Sequence, residues 1–430
     1  MFRKLGDFSF RFRAKSVIIQ GFFRLKSSQP AAPRPIALDL PPVEAGRLCR
    51  HLPGFVFFDS ATEQGLSILA ASPSEVISGH SEQAWRRLAA RVAARQRPGL
   101  ADYGFPAGFA AGWVDYDGSF RFGFYDDPLI YRDGRWMAEG ELPFRVPDRP
   151  PPHARLLFKS QVTRGQFCGW VRRAQDYIAA GDIYQVNLSH QFASSFAGDP
   201  WDFYEALRHY SPAPYAAYLN LEGRAVLSSS PELFLRMSGR QIVTRPIKGT
   251  RPRRGEPDAD EKSAYDLLTS PKEVAELIMI TDLERNDLGA VCEFGSVTVR
   301  ELLRLERYEQ VFHLVSEIEG RLRPDVDHVS ALRACFPGGS ITGAPKKRAR
   351  EIISEIEQTP RGLYTGAIGY FGFNGESQFN IAIRTAVLSD GVMRFGVGAG
   401  IVADSVPERE YEETLDKAAG ILLAAERWSG

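Results

Sequence analysis

Short apolar runs separated by turn residues dominate the early chain. Phe55-Val56-Phe57-Phe58, Ile68-Leu69-Ala70, Val76-Ile77 and residues 108–114 read as strands, and residues 82–95 read as a helix with arginines on its polar side. Pro147-Asp148-Arg149-Pro150-Pro151-Pro152 is the clearest linker, because proline breaks helix and ladder alike. Beyond it, residues 163–180 carry helical periodicity and stop at Gly181. Strands are expected at 183–191, 225–229, 241–247 and 296–299, and a helix at 271–287. Pro345 opens a helix to about 357; strands follow at 364–373, 379–389 and 392–397, and a last helix at 407–426. Strands in pairs between helices predict an α+β fold rather than a strict βαβ series.

Composition narrows the function. The 430 residues hold 53 Lys+Arg against 53 Asp+Glu, so the basic surplus of a nucleic-acid binder is absent. No uncharged apolar stretch approaches the roughly 18–20 residues that span a bilayer, so no membrane helix is expected. Cys49, Cys168, Cys292 and Cys335 are scattered, which suits a reducing cytoplasm better than a disulfide or zinc framework. Residues 1–28 carry seven Lys/Arg and one acid, Asp7. A targeting presequence is one reading; a poorly ordered extension over 1–35 is the reading adopted, followed by regions 36–152 and 153–430.

Several stretches could carry chemistry. Ser270 and Pro271 form a good helix start, and Glu273 and Glu276 follow three apart on one face. Ser270 with Glu273 also has capping-box spacing, a purely structural role. The last helix repeats the theme: Ser405 and Glu408 could box its start, and Glu410, Glu413 and Lys417 share a stripe away from Tyr411, Leu415, Ala418 and Leu422. Either pair alone reads as a solvated face; together they could hold a hard cation such as Mg²⁺. Pro337–Lys346 is glycine-rich before a helix, suited to an anion or merely a tight turn, and Ala344 stands where a Walker loop needs lysine. Gly396-Val397-Gly398-Ala399-Gly400 fits close backbone approach to a ligand, or a bend. Lys248 is either a surface charge or, in a poorly solvated pocket, a nucleophile. His313, in an apolar run, is either a core histidine or an acid/base.

Read in order, GDIYQVNLS (181–189), SPELF (230–234), PIKGTRPR (246–253), KEVAELIMITDLERNDLG (272–289), HLVS (313–316), PGGSITGAPK (337–346), YTGAIGY (364–370), IAIRT (381–385) and GAGIVADSVPEREYEETLDKA (398–418) strongly resemble the chorismate-utilising enzymes: anthranilate, aminodeoxychorismate, isochorismate and salicylate synthases. The resemblance covers about 160–425 and implies a large two-sheet β core flanked by helices. It further implies that Glu276 and Glu413 ligate Mg²⁺, with Glu273 and Glu410 supporting through water. Glu232 matches the general acid at ring carbon 4. Thr342 and Gly343 match contacts to the ring carboxylate, and Tyr364, Arg384, Gly398, Gly400 and Lys417 match the enolpyruvyl-side or carboxylate-binding group.

Two positions discriminate within the family. Gln185 stands where the water-adding members carry their lysine base, and Lys248 stands where anthranilate synthases usually carry alanine. Lys248 thus resembles the nucleophile of aminodeoxychorismate synthase component I. The expected activity is amination of chorismate to 4-amino-4-deoxychorismate, the precursor of 4-aminobenzoate and folate. Ammonia would come from glutamine through a separate glutamine amidotransferase subunit. His313 matches a histidine that anthranilate synthases use during pyruvate loss. The alternatives are anthranilate synthase component I and a non-catalytic chorismate- or tryptophan-binding relative.

Overall fold

The computed structural model describes residues 33–61, 65–100, 103–138, 155–253, 255–308 and 311–428. The expected extension and proline-rich linker thus lie almost wholly outside the described residues. The exception is Arg34–Ile36, an edge strand paired antiparallel with Arg135–Ala138.

Among the described residues the strands form two large sheets, one of twelve strands and one of ten. The α+β class with a two-sheet core is what the sequence implied. Each sheet takes strands from both sides of the 139–154 segment. Val56–Asp59 pairs with Tyr215–Leu221 in the larger sheet, and Phe109–Val114 pairs with Ala367–Gly372 in the smaller. The two stretches therefore share their cores.

The run Phe55–Phe58 shows why continuous apolar patterning was legible as strand. Phe55 and Phe57 pack outward under the helices Pro42–Cys49, Pro200–Tyr210 and Pro407–Trp428. Val56 and Phe58 face inward, against Phe109, Trp113 and Tyr370 of the other sheet. Period-2 alternation puts a side chain on each face, and both faces are covered, so every position is apolar. The helices Glu82–Ala93, Pro271–Gly289 and His328–Cys335 cover the outer face of the smaller sheet. Arg164–Ala179 and Lys346–Glu357 pack beside Gln185–Ser195 and Val392–Ile401.

The expected strand 379–389 is two strands in different sheets. Glu376–Ile381 belongs to the smaller sheet and Thr385–Ser389 to the larger. The break falls at Arg384, whose left-handed φ of 48° interrupts the extended backbone. The strand expected at 241–247 ends at Arg245, and a separate strand, Ile247–Pro252, follows.

Candidate active site

A cavity of about 1640 Å³ gathers most of the residues singled out from sequence: Glu232, Lys248, Glu273, Glu276, His313, Tyr364, Arg384, Gly398, Gly400, Glu413 and Lys417 all line it.

Lys248 reaches the cavity through a bulge. The pairing of Ile247–Pro252 with Val311–Arg321 slips between Lys248 and Thr250, and Gly249 between them has a φ of 73°. A bulge with a left-handed glycine re-aims its neighbours. Lys248 thereby points at the first acidic helix, its Nζ 3.6 Å from Glu276 Oε2. A side chain at 249 would also strike Leu267, 2.6 Å from its Cβ.

Glu232 follows the strand Arg224–Ser230 and is buried, with its Oε1 making no hydrogen bond among the described residues. Burial raises its carboxyl above the usual range, against the opposing pull of Ser340, Lys248 and Lys417. Behind it, buried Glu284 accepts a hydrogen bond from Thr244, and burial pushes its carboxyl up to about 8. Two carboxyls held toward the neutral form thus lie together, Glu232 on the cavity wall and Glu284 behind it. His313 is held down to about 4, first by burial and then by Arg384, so it is a neutral imidazole at pH 7. Its Nδ1 lies 2.9 Å from Thr250 Oγ1.

Among the described residues the Arg384 guanidinium pairs with no carboxylate, and burial works against its charge. A half-buried cation facing a cavity invites an anion. Lys417 donates to Gly398 O at 2.9 Å and to Glu413 at 2.6 Å. Burial opposes ionisation of Glu413, but Lys417, Lys272 and Lys248 outweigh it and hold the carboxyl below its ordinary value.

The glycine-rich stretch is a continuous strand, Val392–Ile401, without a bend. Its bare backbone is a bed for side chains. A Cβ at Gly396 would lie 2.3 Å from the Tyr364 ring, and one at Gly400 would lie 2.4 Å from Gln185 Nε2. The close approach here is made by protein side chains, not by the bend that was the other expectation.

Three expected site residues stand behind the wall. Thr342 is buried and turns its hydroxyl to Gly338 O and Gly339 O, while Ser340 and Ile341 line the cavity in its place. Gly343 pairs with Val186, so close that a Cβ would meet Gln185 O at 2.2 Å. Glu410 shares the i, i+3, i+7 stripe with Glu413 and Lys417 but is itself buried, with Thr414, Ala418 and Ile421, whereas Glu413 is half-buried and Lys417 exposed. Partners explain the difference: His190 takes Thr414 at 2.9 Å, and Ser405 donates to Glu410 at 2.8 Å. Ser405 therefore does not box Glu408, which pairs with Arg172 instead. Ser270 caps Glu273 N as expected, while the Glu273 carboxylate faces Arg251 at 3.6 Å.

The residue missed from sequence is Lys272. Its Nζ bridges the two acidic helices, 3.4 Å from Glu410 Oε1 and 3.9 Å from Glu276 Oε1. Its signal was its place beside Glu273 and four residues before Glu276. Among the described residues no three acidic, histidine or cysteine side chains converge on one point as a metal cage. Yet Glu276 Oε1 and Glu410 Oε2 are buried without a hydrogen-bond partner. Buried carboxylate oxygens left so are poised for a cation, and the donor set is all hard oxygen.

The chain belongs to the chorismate binding enzyme family, whose model matches residues 138–423. It is 48% identical over 285 residues to an anthranilate synthase component 1 of Haloarcula marismortui, covering 66% of this chain and 57% of that protein. It is 44% identical over 301 residues to aminodeoxychorismate synthase component 1 of Bacillus subtilis, covering 70% and 64%. The chain thus spans roughly three fifths of the length of these curated relatives. The solved anthranilate synthase component I of Streptococcus pneumoniae superposes with a TM-score of 0.73 at 29% identity, over 84% of this chain and 92% of that one. Among the described residues no helix is long and apolar enough to cross a membrane.

Proposed function

We propose that the protein is the chorismate-aminating component of an aminodeoxychorismate synthase. The observation that carries this reading is Lys248, turned by its bulge into the cavity beside Glu276 while Gln185, a side chain that cannot take a proton from water, faces the same Gly400. Relatives named for this activity and for anthranilate synthesis match about equally well, so the local geometry must decide.

The substrate's carboxylates would meet Arg384, Lys417 and the turn around Ser340 and Ile341. Lys248 Nζ attacks ring carbon 2; both ring double bonds shift by one position, and the carbon 4 hydroxyl leaves as water with the proton of Glu232. The proton shed by the alkylated amine returns Glu232 to its acid form. Ammonia then attacks carbon 4, both double bonds shift back, and Lys248 leaves carbon 2 as an amine, taking up one proton from the incoming nitrogen. A covalent amine divides one hard displacement into two easier ones. Glu276 and Glu413, with Glu273 and Glu410 behind them, would hold Mg²⁺, which when bound neutralises a substrate carboxylate. Ammonia would be supplied from glutamine by an amidotransferase subunit, as the component 1 names of the relatives imply for them.

Incubation with chorismate, Mg²⁺ and an ammonium salt is expected to yield 4-amino-4-deoxychorismate by mass spectrometry. Fluorescent anthranilate as the main product would instead establish the second reading, for which neutral His313 at the cavity wall is the structural argument. Lys272→Met removes the ammonium that bridges Glu276 and Glu410. By the Coulomb energy of one charge at this range, Mn²⁺ affinity measured by electron paramagnetic resonance without substrate is expected to rise about tenfold. Unchanged or weaker binding would show that Lys272 does not compete with the ion.

A further inference from the structure

Beneath the cavity lies a fully buried ion pair, Arg361 with Glu357, their side chains only 2% and 4% exposed. Every N–H of the guanidinium is used. Nε and one terminal nitrogen grip both oxygens of Glu357, at 2.9 and 2.6 Å. The same terminal nitrogen donates to Asn187 O at 2.6 Å, and the other to Ile341 O and Thr365 Oγ1, both at 3.2 Å. Glu357 in turn accepts from Ser189 N and Ser189 Oγ, at 2.7 and 3.0 Å. The Tyr116 ring closes the far side, 4.6 Å from the guanidinium carbon.

Neither charged residue lines the cavity, but Asn187, Ile341 and Tyr364, which precedes Thr365, all do. One planar fork therefore ties three separate chain segments whose next atoms form the wall: the strand Gln185–Ser195, the turn at Gly339–Ile341 and the loop before Ala367–Gly372. A buried ion pair is a poor source of stability, since apolar groups of similar volume often serve as well or better. What the fork supplies that an apolar pair cannot is fixed directions, and lysine, a point charge with three donors, does not reproduce them.

We infer that Arg361 and Glu357 are positioning residues that set the carboxylate-binding wall of the site. The inference rests on the reading of chorismate as substrate. A single truncation would strand a buried charge and could simply unfold the protein, so the decisive variant is the double replacement Arg361→Met with Glu357→Leu. Its melting temperature is expected to stay within a few degrees of the parent, while the Kd for chorismate rises about tenfold or more, the scale of an ångström-size misplacement. Glu357→Gln keeps volume and an acceptor but loses the charge. It is expected to weaken chorismate binding severalfold with an unchanged circular dichroism spectrum, and it decides the matter should the double variant not fold. Parental affinity in a folded double variant, or in Glu357→Gln if the double variant is unfolded, would overturn the inference. A parental protein that binds no chorismate would overturn the functional reading itself, and this inference with it.

Discussion

Replacing Lys248 by alanine is expected to lower the amination of chorismate by about 10³-fold or more, because an intramolecular nucleophile with a high effective concentration is lost. The substitution leaves the backbone bulge intact, since Gly249 and the pairing with Val311–Arg321 create it. The folded state should therefore survive, which circular dichroism checks. A second readout isolates the covalent step. With chorismate and Mg²⁺ but no ammonia, the parental protein should gain the mass of chorismate less one water, and the alanine variant should gain nothing. If the variant aminates at the parental rate, ammonia attacks the ring directly and the covalent route is wrong.

Glu232→Gln should cost about 10²- to 10⁴-fold in the same reaction, the usual contribution of a positioned general acid. The pH profile carries the sharper test. Burial raises the Glu232 carboxyl, so the acid form persists above the pH at which an ordinary glutamate ionises. Activity that needs this proton is present below the raised value and lost as pH rises through it. The glutamine variant has no such proton, so its residual rate should lack that alkaline limb. An alkaline limb unchanged in the variant would assign the proton to another group. Glu284 is the alternative to examine, since it too is buried and held toward the neutral form.

Legibility in the sequence followed the range of the interaction. The helix Pro271–Gly289 was readable because Ser270 and Pro271 signal its start locally, and the structure keeps that start. The helix Pro200–Tyr210 is not among the expected elements although Asp199 caps it and Pro200 opens it. The break at Arg384 had no proline or glycine to announce it; the backbone turns there because its two flanking strands are claimed by different sheets. The burial of Glu410 was unreadable for a similar reason. Helical periodicity put it on one stripe with Glu413 and Lys417, and only Ser405 and Lys272, from outside that helix, hold its Oε1 on the buried side.

By itself the sequence determined the α+β class, the family resemblance and the residue types at the two discriminating positions, Gln185 and Lys248. Those follow from periodicity, turn chemistry and motif order, which are local properties of a chain. Only the tertiary structure decided that Lys248 meets Glu276, that Lys272 reaches across the two acidic helices, and that Arg361 ties three wall segments together. Each of these is a contact between atoms brought together by sheet pairing and helix packing, and its distance depends on folds of the backbone that neither partner's own neighbours encode.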